Sequence, residues 1–163
     1  MRAIALLVAA GLAPAAVAGG DRTIVGRGVQ VVAPAGWTRV ASAGDGSVID
    51  PRTVLVVGTA GVRPRPSGCQ IAGYRVQPAG AVVVVVRWRT VSSGGGRPPR
   101  GRAPLRRLAV RRPSFECFQG RGGAAQLVLG SHAYQVNVMV GDRAPAQVVR
   151  EALSVARSFD IAR

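Results

Sequence analysis

The side chains in this chain best suited to engage a partner are its arginines. Arg97, Arg100, Arg102, Arg106, Arg107, Arg111 and Arg112 fall within sixteen residues, and no Asp or Glu occurs from Pro51 to Phe115. A guanidinium is a planar fork of N–H donors that meets the oxygens of a phosphate or carboxylate two at a time. Seven such forks together suit an anionic cell-envelope polymer, lipid headgroups or an acidic protein. The plain alternative is a solvated segment whose charges keep a Gly/Pro linker in water, since a charge run alone is weak evidence of binding.

Other chemistry has less to stand on. His132 is the only histidine, and a general base needs both a nucleophile and an orienting group in reach. Ser131 is adjacent in sequence, which does not make a triad. Asp21, Asp45, Asp50, Glu116, Asp142, Glu151 and Asp160 are scattered, with no pair at i, i+3 or i+4, so paired-acid chemistry and a calcium loop are both unsupported. One histidine and two distant cysteines do not match zinc-ligand spacing. Gly94-Gly95-Gly96 lacks the Gly-Lys-Ser/Thr ending of a phosphate loop, and Gly120-Arg121-Gly122-Gly123 reads as a turn. The expectation is a non-enzymatic protein with no cofactor and no metal.

The net charge of +15 comes from 22 basic against seven acidic residues, and every basic residue is arginine. A coding preference for Arg over Lys, together with heavy Ala, Gly, Val and Pro usage, fits a GC-rich genome. It does not account for the scarcity of acids. Such a field draws anionic partners and favours solubility, without bearing on the fold.

Residues 1–18 read as a signal peptide. Met1-Arg2 is a short positive start, Ala3 to Leu12 is apolar, and Ala16-Val17-Ala18 is the small-x-small pattern cut before Gly19. An uncleaved membrane anchor is the alternative, although the apolar run is about half of the ~20 residues that spanning needs. The expected localisation is secreted or extracytoplasmic, with residues 19–163 forming one domain and no membrane span after cleavage. In an oxidising compartment Cys69 and Cys117, the only cysteines, are expected to form one disulfide; two separate buried thiols are the alternative.

The elements that must position the arginines centre on Ala81 to Thr90. Val82 to Val86 is an unbroken valine run, branched at Cβ and apolar on both faces, which predicts a strand in the middle of a covered sheet. Further strands are expected at 28–34, 53–59, 69–76, 124–129 and 134–140. The last two form a hairpin around 130–133, and Tyr134, Val136, Val138 and Val140 alternate with polar or longer side chains. Residues 62–68, with two prolines, should be irregular. Residues 91–104 read as a flexible Gly/Pro/Arg loop with no means of burying itself, and 105–112 is either a short strand or a helical turn. After Asp142 and Pro145, Val148, Val149, Ala152, Leu153, Ala156 and Phe159 form one helical stripe. The fold class expected is α+β: a mostly antiparallel sheet of about six strands with the amphipathic C-terminal helix packed on it.

Two stretches carry a resemblance. Val29-Gln30-Val31-Val32-Ala33-Pro34-Ala35-Gly36-Trp37, and the ending of strand, Gly141-Asp142, helix and Ser158-Phe159, resemble small exported proteins of high-GC Gram-positive bacteria. The same order of elements is similar to the PsbP/Mog1-like α+β sandwich. The resemblance implies a fold and brings no catalytic or binding residue with it.

The function expected from these residues is a small exported domain that binds an anionic envelope component or a partner protein through the arginine segment. Two rivals stand beside it. One is a cytoplasmic nucleic-acid-binding protein, disfavoured by the signal pattern and by the lack of aromatics for base stacking near the arginines. The other is a small exported enzyme without a recognisable motif.

Overall fold

The computed structural model describes residues 20–43, 50–69, 71–89, 97–111, 118 and 120–163. In chain order the elements are β1 (Arg22–Val25), β2 (Val29–Ala33), β3 (Thr38–Arg39), β4 (Arg52–Gly58), β5 (Arg63–Pro64), β6 (Tyr74–Arg75), β7 (Ala81–Trp88), α1 (Ala103–Arg106), β8 (Arg121–Leu129), β9 (His132–Val140), α2 (Ala146–Arg157) and β10 (Asp160–Ile161). The expected signal segment, residues 44–49, Thr90, residues 91–96, Arg112 and Cys117 lie outside the described residues.

The fold is α+β. Its main sheet has five strands in the order β3-β4-β7-β9-β8, every neighbouring pair antiparallel. The valine strand β7 takes the middle, and Ala81 to Val86 are fully buried. Alternation divides this run between two cores. Val83 and Val85 join Val57, Val136, Val138 and Val140 on one face; Val82, Val84 and Val86 join Val56, Met139, Tyr74, Ala72 and Ala43 on the other. A strand apolar on both sides has no other stable place.

Helix α2 covers the first of these faces. Ala152, Val155 and Ala156 are buried, while Val148, Val149 and Leu153 are half-buried against the same core. Its twelve residues make a rod of about 18 Å, long enough to cross β7 and β9. Pro145 is the residue ahead of the first turn and has extended backbone angles. It leaves no helical donor wasted there. Phe159, just past the helix, is fully buried and meets the Tyr134 ring edge-on at 5.2 Å.

A second sheet of three strands, β1-β2-β10, completes this core with Ile24, Val29, Val31 and Ala33. Ser158 ties the end of α2 to it, its Oγ accepting from the Val32 N–H at 2.8 Å. Trp37 is buried after β2, and its Nε1 donates to Glu151 Oε2 on α2 at 3.3 Å. On the opposite face the β5–β6 pair and residues 71–76 cap the smaller core. There the Tyr74 hydroxyl accepts from the Ala43 N–H at 2.8 Å. Burial pushes the Tyr74 phenol up to about 12, against the smaller opposing effect of that hydrogen bond.

Several expectations need correction. The main sheet has five strands where about six were expected, and two smaller sheets bring the strands among the described residues to ten. Among the described residues of the segment 69–76 only Tyr74–Arg75 is strand, and it pairs with Pro64–Arg63 inside the stretch expected to be irregular. Pro64 is tolerated because this two-stranded pair is all edge. Gly122 and Gly123 belong to β8, not to a turn, and the hairpin turn is only Gly130–Ser131. Of the expected disulfide only one half can be described: Cys69 is disulfide-bonded, while Cys117 lies outside the described residues.

Candidate functional site

β8 is the last strand of the main sheet, and an open edge strand is a row of unpaired N–H and C=O groups. The arginine segment closes that edge at both ends. Near one end Val128 N–H donates to Pro99 O and Gly101 N–H donates to Val128 O, both at 2.9 Å. At the other, Arg111 N–H donates to Gly122 O at 2.6 Å and Gly122 N–H donates to Arg111 O at 3.0 Å. Between these clasps the chain leaves the edge as an arch. Residues 97–104 are thus anchored where a loop unable to bury itself was expected. The 91–96 portion lies outside the described residues.

The arch is held by its apolar residues and by two struts. Leu105 and Leu108 are 1% and 4% exposed and belong to the main core. α1 is a single helical turn that begins with Ala103-Pro104, a position that suits proline; between strand and helical turn, the segment from Leu105 therefore starts as the turn. Arg102 reaches from the arch to the end of α2, with Nη2 donating to Arg157 O at 2.7 Å and Nη1 lying 3.3 Å from Asp160 Oδ2. Arg157 reaches back, donating to Leu108 O at 3.0 Å.

The seven candidate arginines therefore separate. Arg102 is committed to Asp160 and Arg157. Arg111 supplies its main chain to β8. Arg97, Arg100, Arg106 and Arg107 are exposed, and none of the four side chains has a hydrogen-bond or ion-pair partner among the described residues. Arg112 lies outside them.

Under the arch is a cleft of about 400 Å³. It is lined by Gly122, Gly123, Ala124 and Ala125 of β8 as its floor and by residues of the arch, Pro99, Pro104, Arg107 and Arg111 among them. The small floor residues make the room. Gly123 is necessary in its own right: a Cβ there would lie 2.0 Å from the Ala109 carbonyl oxygen.

Edge polarity gives this floor its chemistry. Gly122 and Val128 both bond outward to the arch, and strand alternation turns Ala124 and Gln126 the same way. Neither has an outward main-chain partner among the described residues. Ala124, with its open N–H donor, and Arg107 line the same cleft.

The remaining candidates do not converge. His132 is exposed at the start of β9; its Nδ1 lies 3.1 Å from Ser131 Oγ, and its ring is 6.2 Å from Tyr134. No carboxylate contacts it among the described residues, and no three metal-ligating side chains gather there. Tyr134 has its phenol pushed up by burial, partly offset by Arg87 across the strand pair. Neither the Ala124 edge nor the Arg102–Asp160–Arg157 struts can be anticipated from sequence. Only Gly122-Gly123 hints at a backbone approaching closely. No helix among the described residues is long and apolar enough to cross a membrane. No family model and no curated protein matches the chain.

Proposed function

We propose that the chain is a small exported, non-enzymatic domain that holds an anionic component of the cell envelope on the arginine arch. The observation that carries this reading is the mounting of Arg97, Arg100, Arg106 and Arg107. All four are exposed and lack ion-pair partners among the described residues; Arg100, Arg106 and Arg107 lie on the segment clasped at both ends to β8, and Arg97 two residues ahead of its first clasp. Arginines on an anchored segment lose less freedom on binding than arginines on a loose linker, so more of each contact survives as affinity. Export rests on the pattern of residues 1–18, and kinship with small exported proteins of high-GC Gram-positive bacteria belongs to the same reading.

The test compares the wild type with a variant carrying Arg97→Gln, Arg100→Gln, Arg106→Gln and Arg107→Gln. Both are titrated against phosphatidylglycerol vesicles, phosphatidylcholine vesicles and a soluble polyphosphate at several salt concentrations. Binding to the anionic probes should weaken with salt and largely disappear in the variant. Replacing Arg63 and Arg75, which face each other on the β5–β6 pair, should have little effect. Equal binding by wild type and quadruple variant would defeat the reading. Preference for an acidic protein over every polymer or lipid would move the partner, and tight, salt-steep capture of DNA alone would favour the nucleic-acid alternative.

A further inference from the structure

The proposed function concerns the charged outside of the arch; the cleft beneath it is a separate feature, and what it holds rests on that reading being right in kind. We infer that the cleft is a seat for a single phosphate group. Arg107 presents a planar fork that takes two oxygens of one anion. The Ala124 N–H points out of the β8 edge into the same cleft with no partner among the described residues, and can take a third. A carboxylate has only two oxygens, in one plane, so with both on the fork the main-chain donor must share an oxygen that is already engaged. A phosphate monoester or a terminal phosphate has three free oxygens, and satisfies fork and main-chain donor together. Gly122 to Ala125 bring no side chain large enough to fill the space, so the anion can approach the strand backbone directly.

The arrangement differs from a charged surface in one respect: it depends on a main-chain donor that carries no net charge. Ala124→Pro removes that donor alone. Proline is accepted on an edge strand where its nitrogen faces outward, so the fold should persist; Arg107→Gln is a second variant, at an exposed position, that does not touch the strand.

The experiment tracks the amide resonances of the full chain during titration with inorganic phosphate, methyl phosphate, acetate and phosphatidic acid vesicles. Saturable shifts at Gly122 to Ala125 with inorganic and methyl phosphate, and much weaker ones with acetate, are expected. Ala124→Pro should weaken phosphate binding about tenfold, the loss for one hydrogen bond to a charged group, and Arg107→Gln, which removes the two-donor fork and its charge, by more than that. A competing effect of vesicles at the same amides would identify a lipid headgroup as the source. Shifts with phosphate but not vesicles would identify a soluble or polymer-borne phosphate. Unsaturable shifts spread over Arg97, Arg100 and Arg106, with Gly122 to Ala125 unmoved, would overturn the seat while leaving the arch as a basic surface. Absence of any response to phosphate and to anionic vesicles would overturn both.

Discussion

Replacing Gly123 with alanine would lift the arch without changing a single charge. The new Cβ would lie 2.0 Å from the Ala109 carbonyl oxygen and 3.3 Å from Leu108 Cδ1. Ordinary contact begins near 3.4 Å, so oxygen and methyl must separate by about 1.4 Å, more than packed backbone can give elastically. Two routes are open. Moving β8 away from β9 would break a ladder running from Arg121 to Leu129. Releasing the arch instead gives up the two Arg111–Gly122 hydrogen bonds and most of the burial of Leu108. At about 1 kcal/mol for each bond and about 1.5–3 kcal/mol for the leucine, release costs about 3–5 kcal/mol and is the cheaper route. For a domain of this size that corresponds to a fall in Tm of roughly 6–20 °C. The assay is a thermal melt with amide exchange: Arg111 and Gly122 should lose protection while the β7–β9 amides keep theirs. Phosphate binding should fall with the arch, although Arg107 and every other charge remain. A melt within about 1 °C of wild type, with Arg111 still protected, would show that the Ala109 carbonyl does not rest on Gly123.

The core offers three further tests. Phe159→Ala removes a fully buried ring set edge-on against Tyr134 and should cost about 3–5 kcal/mol in urea unfolding; an unchanged midpoint would contradict this packing. Thr53 is buried with its Oγ1 lacking a hydrogen-bond partner among the described residues, so Thr53→Val should stabilise the fold by about 1 kcal/mol, and a loss would mean that the hydroxyl has a partner. The folded chain keeps the Tyr74 proton to about pH 12, whereas an unfolded phenol gives it up near 10.0. The resulting stability, about 2–3 kcal/mol, is fully present below pH 10 and is lost as pH rises through 12. Tyr74 and Tyr134 are the only tyrosines, so phenolate absorbance reads them directly; an ionisation near pH 10 in the folded protein would refute the burial argument.

The elements most legible in the sequence are those whose side chains leave one placement. Val82 to Val86 can only be a central strand, Tyr134 to Val140 alternates as β9 does, and the last helix shows its stripe. The stripe taken from spacing is one side off: it omits Val155, which is buried, and includes Val148 and Val149, which are only half-buried. An apolar arc wide enough to hold both phases does not by itself say which edge faces the core. β1, β3 and β10 escape a sequence reading because strands of two to four residues carry too little pattern to register. For the site the division is sharper. The arginines are visible as charge, but their mount is not, because the clasps at Pro99, Gly101 and Arg111 are main-chain groups common to every residue. Gly122 and Gly123 mimic a turn for a related reason: glycine signals freedom, and here it serves close approach. The Arg102 struts depend on the arch meeting the end of α2, a contact spanning 58 residues from Arg102 to Asp160.

The central place of β7 also has a history in time. One of its neighbours, β4, precedes it in the chain, and the other, β9, begins at His132, 44 residues after Trp88. At ordinary rates of synthesis the second partner arrives about 2–9 s later. Throughout that interval the most adhesive segment of the molecule has at best one edge covered. The valines give way at once to Arg87 and Arg89, and then to the run from Arg97 to Arg112. Before these arginines can serve as a surface, they are a retinue of like charges travelling with a naked valine strand, and they hold neighbouring chains apart until β9 closes the sheet.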